Sequence, residues 1–116
     1  MKSSELKPAK VYQLSYAVDY EPGATIVKPI LSKDTGSVNM YSLDRGEGFE
    51  ATMSPFDILV QVIEGVAEVI IGEKSTELSA GQILIIPAHS SHEMKANERF
   101  KMLLTVIKYG YSEVSF

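Results

Sequence analysis

From residue 25 onward the chain is a run of short stretches in which apolar and polar side chains change places every one or two positions. Nowhere do apolar residues hold a helical spacing for three turns. Val, Ile, Thr, Tyr and Leu gather in residues 11–18, 25–31, 37–43, 57–63, 66–71, 83–87 and 100–108, each about the length of a strand. Turn residues separate them: Pro22-Gly23, Thr35-Gly36, Gly46-Glu47-Gly48, Glu64-Gly65, Gly72-Glu73 and Ala80-Gly81. Many short strands at close spacing predict an all-β, antiparallel sandwich or barrel, not a parallel sheet with crossover helices. In the middle third, residues 59–63 and 66–71 flank Glu64-Gly65. That predicts a hairpin with a two-residue loop, Gly65 supplying the positive φ. Gly72-Glu73 predicts a second tight turn, into residues 75–78.

Residues 57–63 carry Ile58, Val60 and Val62 on one face and Leu59, Gln61 and Ile63 on the other. A strand with one wet face alternates more cleanly. Both faces are therefore expected to be covered, by an opposing sheet or by a second copy of the chain, and a homodimer is the expected assembly. Residues 1–10, polar and interrupted by Pro8, read as a flexible N-terminal arm able to cross to that copy; residues 11–116 read as one domain.

Composition narrows the function classes. The 116 residues are enough for one core and too few for two ordinary domains. Eleven scattered Lys and Arg against fifteen Asp and Glu, net charge -4, argue against a nucleic-acid surface. There is no cysteine, which excludes disulfides, thiolate metal sites and a cysteine nucleophile and suits a reducing compartment. The first ten residues lack the apolar stretch of a secretory signal, and the longest apolar run, residues 83–88, is far short of the ~20 residues that cross a bilayer. The expectation is a cytoplasmic protein with neither nucleic-acid nor membrane partners.

Two glycine-bounded stretches carry the chemistry. The second, Gly81-QILII-Pro87-Ala88-His89-Ser90-Ser91-His92, is a turn glycine, a buried strand, a proline that ends it, and a histidine on the next strand. The first, Gly46-EGFEA-Thr52-Met53-Ser54-PFD-Ile58-LVQVIE-Gly65, runs glycine to glycine without a gap. Together they resemble the paired motifs of the cupin family, over residues 46–96. In the second, Gly81, Pro87 and His92 stand in register, while His89 occupies a glycine position and Ala96 an asparagine position. In the first, Thr52, Ser54 and Ile58 stand where the family has His, His and Glu. The resemblance implies a small, single-domain, RmlC-like jelly roll, a double-stranded β-helix barrel, with a degenerate metal site.

Family members with full motifs are similar in holding one divalent ion with three His and one Glu. Here the register leaves His92 alone: Ile58 has no donor atom, and protonated hydroxyls are poor ligands. No metal and no other cofactor is expected. A substitute set of His92, Glu50 and Asp57 would require a bulge after Pro55 to turn Asp57 inward, with His89 near the barrel mouth. A pocket inside such a barrel would draw polar groups from His92, Thr52, Ser54 and Gln61, and apolar ones from Met53, Phe56, Ile58, Val60, Met94 and Met102. The leading expectation is a binding module for a small organic molecule. The alternatives implied by the resemblance are a metal-free isomerase or epimerase using His92 as acid or base, and a metal-dependent isomerase or dioxygenase. The former lacks a tyrosine or lysine inside either motif frame; the latter lacks its ligands.

Overall fold

The computed structural model describes residues 6–108. A short 3-10 turn, Leu14–Tyr16, precedes eight strands: β1 (Thr25–Lys33), β2 (Gly36–Leu43), β3 (Gly48–Met53), β4 (Asp57–Ile71), β5 (Lys74–Ser79), β6 (Ile83–Ile86), β7 (Ser91–Lys95) and β8 (Phe100–Ile107). All pairings are antiparallel. The expected all-β jelly-roll barrel is what forms. Two faces pack together: β1-β2-β8-β4-β6 on one side and β3-β7-β4-β5 on the other.

β4 belongs to both, and here the sequence expectation is corrected. Glu64-Gly65 is not a hairpin loop. Residues 57–65 pair with β8, and residues 66–71 continue in the same direction to pair with β5 and β7. Gly65 has φ +79°, and the β4–β8 register slips between Val62 and Glu64. Positive φ at this glycine thus bends one long strand between two sheets, as a bulge does. The turn expected at Gly72-Glu73 does form, joining β4 to β5.

A second correction concerns residues 11–18, expected as a strand. They form no ladder; residues 12–20 cross the outside of the first sheet as a strap. Lys101 Nζ donates to the Ser15 carbonyl at 2.6 Å, and Ser42 Oγ donates to the Asp19 carbonyl at 2.7 Å. The strap buries Met40, Ser42 and Lys101, and Arg99 and Lys101 stand over the Tyr20 ring at 4.4 and 5.0 Å. Strand propensity needs an edge to pair with; this segment meets a sheet face. The expected arm, residues 1–10, lies half outside the described residues.

Residues directly opposite one another in an antiparallel ladder share a face, so register gives the interior in layers. At the bend, Leu43, Phe100, Ala67 and Leu78 are almost wholly buried and close one end. Next come Tyr41, Met102 and Val62 facing Val69, Met94 and Phe49. The third layer is Asn39, Leu104 and Val60 against Ile71, His92 and Thr52, and a fourth holds Ser37, Val106, Ile58 and Ile86. In the outer layers burial is uneven: Thr52 is exposed, whereas Val60, Ile58 and Ile86 are as buried as the bend. Each core side chain contributes roughly 1.5–3 kcal/mol, so the bend is a principal anchor of the fold.

Candidate functional site

The mouth is organised by backbone devices that absorb several of the expected site residues. Ser54 Oγ accepts the Phe56 N–H at 3.0 Å, closing the β3–β4 turn on itself. The Ser54 carbonyl accepts the His89 N–H at 2.7 Å, and Asp57 Oδ1 accepts the Ala88 N–H at 2.8 Å. Ser54, Asp57 and His89 thus tie the 54–57 turn to the 87–90 turn at the barrel rim. His89 has φ +66°, a conformation that favours glycine, which explains why the resembling family motif has glycine there.

His92 is the inward polar group with the deepest seat among the expected candidates, 7% exposed. β7 alternation turns it inward with Met94, between Thr52 on β3 and Ile71 on β4. Its Nδ1 lies 3.3 Å from the Ser90 carbonyl. A carbonyl only accepts, so in this contact Nδ1 is the donor. Ile58, Met94 and Met102 line the inner face as fully packed apolar side chains.

Gln61 is a correction. It pairs with Leu103 and Ile83, one residue out of phase with buried Val60 and Val62. It therefore faces away from the barrel on the outer side of the first sheet.

The substitute metal set does not assemble. The anticipated bulge after Pro55 is absent; the irregularity lies in β3, between Phe49 and Thr52. Glu50 there is exposed and borders an open groove of about 400 Å³ with Glu93 and Lys95, side chains that alternate outward on β7. Asp57 is held at the rim by Ala88. Among the described residues, no three His, Asp or Glu gather to hold an ion. At the motif positions the donors are two hydroxyls, one imidazole and no carboxylate. That set does not fit a divalent cation.

Sequence reading missed Asn39, Tyr41 and Phe49. Tyr41 faces inward one layer deeper than His92, its ring edge-on to Phe49 with centroids 5.5 Å apart. Burial raises the Tyr41 phenol above its ordinary value, and a hydrogen bond with the Asn39 side chain opposes that shift. The signal lay in Ser37-Val-Asn-Met-Tyr-Ser-Leu43, whose period-two alternation puts Asn39 and Tyr41 on the face of Leu43. Both precede the motif glycines.

Residues 39–107 match the family model described as Cupin domain. A conserved protein of unknown function from Streptococcus pyogenes is 30% identical, with a TM-score of 0.86 over 90% of this chain and 92% of that one. A cupin superfamily protein from Desulfitobacterium hafniense is 20% identical, with a TM-score of 0.84 over 90% and 95%. A cupin 2 conserved barrel domain protein from Leptotrichia buccalis is 28% identical, TM-score 0.81, with 84% of this chain covering 47% of that one. Among curated proteins none matches the chain. Among the described residues no helix is long and apolar enough to cross a membrane.

Proposed function

The chain belongs to the cupin domain family, and from that premise we propose that it is a small-molecule-binding module whose ligand sits in the open mouth of the barrel against His92. One observation carries this reading: apolar side chains close the inward face at the bend, and Tyr41, Asn39, Thr52 and His92 stand in the two layers beyond it. A pocket with an apolar floor and a few placed polar groups is the usual form of an organic-ligand site. Native mass spectrometry of untagged protein as isolated tests it. The expected result is a bound organic mass released on denaturation and lost in His92→Ala, with the fold retained by circular dichroism. A stoichiometric metal, or retention unaffected by the substitution, overturns it.

Tyr41 gives the metal-free proton-transfer reading a specific footing. A half-buried phenol on β2, one layer deeper than the imidazole and on the facing sheet, offers an acid and a base across the interior. Solvent deuterium exchange into the released compound separates the two: exchange that is lost in His92→Ala while binding persists makes it an enzyme.

The chain is further proposed to pair with a second copy through the outer face of β1-β2-β8-β4-β6. Ile83, Ile85 and Ile107 are each over 60% exposed there, beside Leu59 and Leu103. Five strands at about 4.8 Å spacing make a face on the order of 600 Å², part of which the 12–20 strap covers, so the free part falls below the roughly 800 Å² per partner of a standard interface. Between Asp57 at one end and strap-covered Lys101 at the other, the outward residues Leu59, Gln61, Leu103 and Thr105 of β4 and β8 are uncharged, whereas β1 brings Lys28 and Lys33 to the same side. Sedimentation should give a dimer that Ile85→Asp converts to monomer; a wild-type monomer at micromolar concentration refutes it. A cytoplasmic setting fits the cysteine-free sequence.

A further inference from the structure

The inward layers hold a second set of polar groups that the motif positions do not include. Asn39 stands in the same layer as His92, on the facing sheet, and Tyr41 lies one layer deeper against Phe49. The inner faces of β2, β8 and the first half of β4 carry no Asp, Glu, Lys or Arg, and neither do the inward positions of β7. A charged group pushed past His92 would lose its hydration and meet no counter-charge, which is costly. A neutral amide, carbonyl or hydroxyl meets the opposite situation. The Asn39 amide and the Tyr41 hydroxyl, hydrogen-bonded to each other, each have further donor or acceptor capacity, and the His92 ring has a second nitrogen. The Tyr41–Phe49 edge and the Met94 side chain supply an apolar wall beside them.

Resting on the binding reading above, we propose that Asn39 and Tyr41 are ligand-contacting residues, and that the part of the ligand inserted into the barrel is an uncharged amide- or carbonyl-bearing group on an apolar body. Asn39 fixes its orientation from one sheet while His92 meets it from the other. Tyr41 closes the polar end of the floor.

Benzamide and benzoate, alike in shape and different in charge, test this directly. Each is titrated into the intact protein while the Met94 and Met102 methyl and His92 ring signals are followed by NMR, up to about 10 mM, where a ligand of ~1 mM affinity is largely bound. Benzamide is expected to shift these signals and benzoate to do so at least several-fold more weakly. Asn39→Leu should weaken benzamide by about three- to tenfold, the loss of one hydrogen bond. Tyr41→Phe, which keeps the packing against Phe49, should weaken it by a smaller factor. The Tyr41→Phe result stands even where Asn39→Leu perturbs the fold. Benzoate binding as tightly as benzamide, with the same signals shifting, overturns the uncharged class and leaves the binding reading intact. Benzamide binding unchanged by both substitutions overturns the assignment of Asn39 and Tyr41. Neither probe moving these signals defeats the binding reading, and this proposal with it.

Discussion

Replacing Gly65 by Asn separates a strand bend from a hairpin loop. Asn tolerates positive φ better than most residues, so the conformational cost of a side chain at φ +79° is small for it. Space decides instead. A Cβ on Gly65 would press on the Arg99 carbonyl and lie 2.9 Å from both the Cα and the Cβ of Phe100, which is wholly buried at the closed end. Real Cβ contacts are longer, so Phe100 or the β8 backbone must shift, an overpacking that costs about 1–3 kcal/mol, with lost β4–β8 pairing added. Gly72 supplies the control: its φ is +61°, and nothing lies within 4 Å of the corresponding Cβ. Gly72→Asn should therefore cost under ~0.5 kcal/mol, as surface changes do. Urea unfolding of both variants should give midpoints differing by an amount equivalent to ~2 kcal/mol or more at unchanged m-value. A hairpin loop at 64–65 would accept Asn as readily as the turn at 72–73. Equal stabilities would refute the bend.

Three further outcomes follow from the structure. His89→Gly relieves φ +66° and should leave stability unchanged or raise it by up to ~1 kcal/mol, whereas His89→Val should lower it by about 1–2 kcal/mol; thermal unfolding checks the sign of each. The Tyr20 phenol is raised by burial and then by the adjacent Glu64 carboxylate, and the Tyr41 phenol by burial. Both hold their protons more tightly when folded, so their stabilising contribution is complete below about pH 10 and falls away as pH rises through the folded values. Urea midpoints should decline above pH ~9–10, and less steeply in the double variant Tyr20→Phe/Tyr41→Phe. Lys101→Met removes the donor to the Ser15 carbonyl and the cation over Tyr20. It should cost about 1–3 kcal/mol and speed amide exchange in residues 12–20 more than in β4; uniform protection would show that the strap is held otherwise.

Much of this architecture is legible in residue order. β-branched and aromatic stretches divided by glycines mark β1, β2, β6 and β8, and the second glycine frame locates His92 on an inward position of β7. What escapes is decided by pairing. A glycine with positive φ serves a hairpin loop and a strand bend equally well, and the choice at Gly65 depends on residues 66–71 finding β5 and β7 and not folding back on 59–63. Residues 11–18 have strand propensity but meet the flank of a sheet, so side chains on β2 and β8 hold their carbonyls instead. β3 hides because it is an edge strand with an irregular register, mostly exposed. At the site, reading outward from motif positions finds His92 and Thr52 but admits Gln61, whose phase along β4 is opposite to Val60 and Val62. It also passes over Asn39 and Tyr41, which reach the mouth only because β2 pairs with β8.

The most direct test is a crystal structure of untagged protein as isolated from cells, with its natural ligand retained. Density for an organic molecule between His92 on one sheet and Asn39 and Tyr41 on the other is the predicted result. A cation coordinated by His92 and acidic side chains, or a mouth closed by its own residues with the molecule seated elsewhere, would contradict it.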